Sequence, residues 1–356
     1  MNWKKGAAGL LFALASMGTA QADVGRNSYD RGDIKSGLDY WRPLANKGNA
    51  AAQLKLGQMY EDGNGVEKNL TLALSWYRKA ADQGNAEAQF NVGTMYDQGE
   101  GVTADKSQAI VWYKKAAAQG YLNAQYNLGV VYDTGQGVAQ DKAQAFAWYS
   151  KAAEQGDADA QFNVGTMYDQ GDGADKDKGK AVIWYRKAAE QGKVEAQYNL
   201  GIMYRDGEGV AKDGAAAFSW FKKAAEQGDA SAQFNLGAMY ADGDGIRQDD
   251  AQAIAWFLKA AAQNDVEAEY NLGVMFRDGE GVTKNGPKAI YWFERAAEHR
   301  YAGAAYNLAM MYRDGDGVAA NAAKAAEWFR KAKHLGYDGD TDEPPEDPSG
   351  VQTIPI

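Results

Sequence analysis

The 356-residue chain has no cysteine, which excludes disulfides, cysteine-ligated metals and a thiol nucleophile. Apolar residues at 45% and aromatics at 12% supply enough for a substantial core and exclude disorder of the whole chain. A net charge of −10 argues against nucleic acid as a partner.

Residues 1–22 are laid out as a secretory signal peptide. Lys4 and Lys5 form a basic start, Leu10, Leu11, Phe12 and Leu14 centre a short apolar stretch, and Ala20-Gln21-Ala22 fits a cleavage site before Asp23. The stretch is short for a bilayer span, and no cysteine is present to carry a lipid. The expectation is a soluble periplasmic or secreted protein, with no membrane insertion after cleavage.

Residues 23–48 read as an N-terminal capping segment, with a helix over about 33–47. Beyond it the chain is periodic. Trp76, Trp112, Trp148, Trp184, Trp220, Trp256, Trp292 and Trp328 are spaced 36 residues apart, and Tyr40 fills the same slot one step earlier. A period of this length is the mark of a stacked repeat array. Eight units fit end to end over 49–336, each predicting two helices.

In the third unit, Ala124, Leu128, Val131 and Tyr132 make one apolar stripe at helical spacing. Gly135 and Gly137 suit a C-cap and sharp turn because glycine takes positive φ at little cost. The second helix starts at a slot held by Asn69, Asp105, Asp141, Asp177, Asp213, Asp249, Asn285 and Asn321, all good N-caps. Gln follows three residues after Asp105, Asp141 and Asp249, in the manner of a capping box. The helix stops at Gly84, Gly120, Gly156, Gly192, Gly228 and Gly336, with Asn264 as one substitute. Arg300 fits that slot poorly and predicts a shifted turn there. One helix pair cannot bury this much apolar surface, so the pairs must stack. Residues 337–356, with six acids and four prolines, read as an acidic disordered tail.

The segment Asn127-Leu128-Gly129-Val130-Val131-Tyr132 resembles a tetratricopeptide-like helix pair. The 36-residue period, the Ala-Gln-Tyr-Asn-Leu-Gly opening, the Gly-x-Gly-Val turn and the Trp-Tyr-x-Lys-Ala-Ala ending resemble the Sel-one-like repeat family over about 33–336. Departures are few: Ala174 and Ile246 replace the turn valine, Ala309 the first-helix glycine, and Glu269 and Ala305 the glutamine. The resemblance implies an all-α, right-handed α-solenoid that works as an adaptor or scaffold, commonly in bacterial envelopes or at host contacts. Some cysteine-rich members are linked to penicillin binding, and this chain lacks those cysteines.

No motif for catalysis, phosphate binding or metal binding stands out, so neither an enzyme nor a cofactor is expected. His299 and His334 lie near second-helix ends, where a histidine complements the helix dipole or faces solvent. Asp242-Gly243-Asp244-Gly245 lacks the further oxygen ligands of a calcium loop and reads as a solvated turn.

Partner binding is expected on three slots, since the family resemblance places first helices on the concave face. One is an asparagine ladder: Asn91, Asn127, Asn163, Asn199, Asn235, Asn271 and Asn307. Asparagine could clamp a peptide, a carboxylate or a sugar, or else hold neighbouring repeats together. The aromatics before it, Phe90, Tyr126, Phe162, Tyr198, Phe234, Tyr270 and Tyr306, read mainly as core. A varying slot runs Glu61, Asp97, Asp133, Asp169, Arg205, Ala241, Arg277, Arg313; it reads as solvated helix ends or as a polar face that orients an extended partner. The expected function is a monomeric, non-catalytic scaffold in the cell envelope that binds another protein or peptide. Envelope glycan binding and cell-wall or β-lactam hydrolysis are the alternatives.

Overall fold

The computed structural model describes residues 34–337; the expected signal peptide, residues 1–22, and the expected tail beyond residue 337 lie outside them. Seventeen helices and no strand occur among the described residues. The chain divides into two compact units, one running to Lys176 and the other beginning at Asp177. The first holds α1 (Ile34–Asn46), α2 (Ala50–Asp62), α3 (Leu70–Asp82), α4 (Ala86–Gln98), α5 (Lys106–Ala118), α6 (Leu122–Thr134), α7 (Lys142–Glu154) and α8 (Ala158–Gln170). The second holds α9 (Lys178–Glu190), α10 (Val194–Asp206), α11 (Gly214–Glu226), α12 (Ala230–Asp242), α13 (Asp250–Ala261), α14 (Val266–Asp278), α15 (Gly286–Glu298), α16 (Ala302–Asp314) and α17 (Ala322–His334). Within each unit the main packing is between helices adjacent in the chain, the local pattern of a solenoid. Even-numbered helices are the first members of the repeats, and odd-numbered helices from α3 onward are the second.

The eight Asp/Asn starts all cap. Each side-chain oxygen accepts from the backbone N–H three residues on, from Asn69 with Leu72 to Asn321 with Lys324. The reciprocal half of a capping box does not form at Asp105, Asp141 or Asp249. Their N–H groups donate instead to the carbonyls of Tyr96, Tyr132 and Tyr240 in the preceding helix, each at 2.9 Å. One residue therefore caps its own helix and ties it to the one before. Replacing Asp213 by Ala should cost about 1 kcal/mol, the usual loss of a side-chain cap, measured by urea unfolding.

The turn at Arg300 is not shifted. Arg300 adopts φ 69°, in the left-handed region, and Asn264 does likewise at φ 64°. The closing bond is kept, from Tyr301 N to the Ala296 carbonyl at 2.9 Å, as Asn85 N bonds Ala80. A non-glycine residue pays about 1–2 kcal/mol for that conformation, so the capping geometry outweighs the local preference.

Packing rests on a fixed pairing of small with large. A Cβ on Gly93 would come within 2.7 Å of the Tyr113 ring, and one on Gly201 within 2.6 Å of Phe221. The ring of the second helix thus lies flat against bare backbone of the first. Tyr77, Tyr113, Phe221, Phe257 and Phe293 are all buried by this means. The tryptophans sit further out. Lys79, Lys115, Lys151, Lys187, Lys223 and Lys259 each lie 3.5–3.9 Å over the indole one turn earlier, which covers its face and leaves the ammonium at the surface.

Charge is divided between the two helix sets. The second helices carry 20 Lys/Arg against 8 Asp/Glu, while the first helices α2 to α16 carry 4 against 14. Among the described residues the acidity is therefore concentrated on the first helices and the turns.

Candidate functional site

The first helix of each repeat must place its Gly against the ring and its apolar stripe in the core, which turns the preceding asparagine half outward. Asn91, Asn127, Asn163, Asn199, Asn235, Asn271 and Asn307 are all half-buried. Beside them the aromatics pack on the edge of the core. Phe90 lies 5.7 Å from Tyr113, Tyr126 5.6 Å from Tyr149, Tyr198 5.8 Å from Phe221 and Tyr270 5.8 Å from Phe293, centroid to centroid.

In the second unit the ladder and the varying slot come together. Arg205 Nη1 donates to Asn235 Oδ1 at 2.7 Å, and Arg277 Nη1 to Asn307 Oδ1 at 2.6 Å. Each guanidinium also grips both oxygens of the next carboxylate: Asp206 at 2.8 and 2.9 Å, Asp278 at 2.7 Å twice. Arg313 holds Asp314 in the same way, at 2.8 and 3.2 Å. The amide nitrogens of Asn235, Asn271 and Asn307 donate to carbonyls four residues back on their own helices, those of Ser231, Glu267 and Gly303.

In the first unit the slot is acidic and its cation comes from elsewhere. Lys106 Nζ bonds Asp97 at 2.7 Å, and Lys142 Nζ bonds Asp133 at 2.7 Å with Asp172 3.6 Å away. Glu61 accepts from the Tyr77 hydroxyl. Most charges of the slot are thus matched locally.

The arginine pairs leave a pH signature. Hydrogen bonds from Arg205 and Arg277 hold the carboxyls of Asp206 and Asp278 below the usual range. A carboxyl lowered on folding stabilises above its unfolded pKa, and that contribution is lost as pH falls through the folded value. Between neutral pH and about pH 3, a variant with Asp206→Asn and Asp278→Asn should therefore lose less stability than the parent, read by thermal unfolding.

A buried polar spine was not anticipated from the sequence. Gln53, Gln89, Gln125, Gln161, Gln197 and Gln233 are buried, at no more than 6% exposure. Gln89 Nε2 donates to the Ala81 carbonyl of the preceding helix at 3.0 Å, while its Oε1 accepts from Gln119 Nε2 at 2.8 Å. The same pair of bonds recurs at Gln53, Gln125, Gln197 and Gln233. One amide thus staples three helices. The spine changes character in the seventh repeat, where Glu269 takes the buried position at 0% exposure. Its Oε2 lies 2.9 Å from His299 Nδ1, and its Oε1 lies 2.7 Å from Arg295 Nη2 without hydrogen-bond alignment. Arg295 Nη2 bonds the Ala261 carbonyl at 3.3 Å and Asn264 Oδ1 at 3.1 Å. His299 is exposed at the C-cap of its helix, as expected of a histidine at a helix end, and its Nδ1 in addition meets the buried Glu269.

A family model for the Sel1 repeat matches residues 50–85, 86–121, 122–157, 158–193, 194–229, 230–265, 266–301 and 302–337. Among solved structures, the chain is similar to a protective antigen present in uropathogenic Escherichia coli strains that displays an SLR fold. Identity is 41% over 84% of this chain, with a TM-score of 0.76, and the match spans 64% of that antigen's length. It is also similar to a Sel1 repeat protein from Oxalobacter formigenes, at 36% identity over 67% of this chain and 96% of that one, with a TM-score of 0.56. No curated protein matches the chain.

Proposed function

We propose that this chain, which belongs to the Sel1 repeat family, is a non-catalytic scaffold of the bacterial cell envelope that holds another protein or peptide on its first-helix face. Proteins of this family typically act as protein-interaction scaffolds. The reading is carried by one observation: the stack has a buried joint of its own in the glutamine spine, while the asparagines stand half-buried at the edge of the core. Gln89, Gln125 and Gln233 satisfy the polar bookkeeping between helices. Asn235 and Asn307 add a bond to an arginine of the preceding repeat, but the whole ladder stays half-buried at the edge of the core, and an amide repeated at one-repeat spacing suits an extended partner. The leader-like residues 1–22 support the envelope as the place of work.

The test is affinity capture from native envelope extract on immobilised residues 23–356, beside an Asn91→Ala/Asn127→Ala/Asn163→Ala variant with an unchanged circular dichroism spectrum. A stoichiometric protein retained by the parent and lost by the variant is the expected result. Retention of the same protein by both would remove the asparagine face from the reading, and capture of glycan alone would replace it.

A further inference from the structure

Repeats of one chain can be compared position by position, and a site filled by Arg205 and by Arg277 in the second unit is filled only in part, by Lys142, around Asp133 in the first. Arg205 and Arg277 each occupy a space bounded by an asparagine, an aromatic ring and a turn aspartate. For Arg277 these are Asn307 at 2.6 Å, the ring of Phe293 with its centroid 6.0 Å from the guanidinium carbon, and Asp316, whose charge helps hold the guanidinium protonated. For Arg205, Asn235 lies at 2.7 Å and the charge of Asp244 acts as that of Asp316 does, while Phe221 holds the sequence position of Phe293. Asn163, Tyr149 and Asp172 hold the same positions in the first unit. There the arginine position is Asp133, and a cavity of about 80 Å³ is lined by Asp133, Lys142, Tyr149, Asn163, Thr166 and Asp172 among others. The pocket is half open to solvent and has room for water or for one planar guanidinium head.

The electrostatics favour a cation. Asp133 and Asp172 share one ammonium, that of Lys142. Lys142 stands where the second unit has Gly214 and Gly286, so it supplies the charge that the arginines supply there. The carboxylates still outnumber it, and Lys142 is held protonated by its bond to Asp133. The Tyr149 phenol is pushed up, by burial first and by Asp133 second. Arginine suits the cavity better than lysine: its planar fork can bond Asn163 Oδ1 and Asp133 while its face lies on Tyr149.

We propose that this cavity, between the third and fourth repeats, receives an arginine side chain from the bound partner, in the place that Arg205 and Arg277 fill from within. The inference rests on the scaffold reading and names the partner's chemistry: a segment carrying an exposed arginine, drawn to the acidic first-helix face.

The test uses a small probe, so that it does not depend on finding the partner. N-acetyl-arginine methylamide is titrated into residues 23–356 and followed by NMR at the Asn163 side-chain amide and the Thr166 backbone, with N-acetyl-lysine methylamide alongside. Saturable shifts at both positions, at about fivefold lower concentration for the arginine probe, are expected. Asp133→Arg/Thr134→Asp copies Arg205-Asp206 and should fill the cavity from within, weakening probe binding about tenfold or more. Asn163→Ala tests the same point should the double variant fold poorly. Absence of shifts in the parent, shifts only at other residues, or undiminished binding in both variants would overturn the proposal. Those results leave the scaffold reading standing, whereas that reading fails on the capture experiment with probe binding intact.

Discussion

Replacing Arg295 by Ala should destabilise the seventh repeat by about 3–5 kcal/mol, the cost of leaving a buried charge without its partner. Glu269 is 0% exposed, and its Oε1 faces Arg295 at 2.7 Å. The guanidinium also covers the Ala261 carbonyl and Asn264 Oδ1. In other repeats a glutamine donates to the equivalent carbonyl, as Gln233 does to Ala225 at 3.1 Å. A carboxylate cannot donate, so Arg295 takes over that task as well as the charge. The triple variant Glu269→Gln/Arg295→Lys/His299→Gln rebuilds the arrangement of Gln233, Lys259 and Gln263, where the two amides meet at 3.0 Å. It should fall within about 1 kcal/mol of the parent, because an ionic cluster exchanged for a satisfied neutral one changes little. Repeat arrays lose cooperativity between units, so the readout is hydrogen exchange over residues 266–301, with 122–157 as the internal reference. Equal protection in Arg295→Ala and the parent would show that the ionic joint carries no load.

The parts of the fold that are local in sequence were legible; those that join residues one repeat apart were not. Each N-cap lies three residues from the N–H it serves, and each turn glycine marks its own turn, so caps and turns could be read directly. The repeat period supplied the stacking. The glutamine spine escaped notice because Gln89 and Gln119 are 30 residues apart and each is unremarkable alone. A signal was present. The two slots change together, from Gln233 and Gln263 to Glu269 and His299, and then to Ala305 and Leu335. The same holds for Asp133 with Lys142: where that slot turns from Asp to Arg at Arg205 and Arg277, the lysine slot turns to Gly214 and Gly286. Charge read along a single slot suggested electrical polarity, with Asp206, Asp278 and Asp314 standing next to the arginines; in space Arg277 and Asp278 pair at 2.7 Å. Arg300 misled for the opposite reason: its local preference opposed a turn that the closing bond from Tyr301 to Ala296 maintains.

The largest packing effect should come from the ring that fills the glycine notch. Phe221 has 0% exposure and lies against Gly201, so Phe221→Ala removes a whole aromatic from the joint between α10 and α11. The expected loss is about 3–5 kcal/mol, transfer and cavity together, measured by urea unfolding with hydrogen exchange to place it in residues 194–229. Gly201→Ala acts from the other side. Its Cβ would stand 2.6 Å from Phe221 Cδ1, closer than atoms pack, so the ring must retreat. That strain costs about 1–3 kcal/mol, reduced by nearly 1 kcal/mol because alanine favours the helix over glycine. The chain contains its own precedent: Ala309 replaces the glycine in the eighth repeat, and Phe329 there is 5% exposed where Phe221 and Phe293 are at 0%. A small retreat of the ring is thus compatible with the fold, and Gly201→Ala should be the milder of the two variants. If instead it proved as damaging as Phe221→Ala, the joint would be rigid, and the looser packing at Ala309 would belong to the last repeat alone.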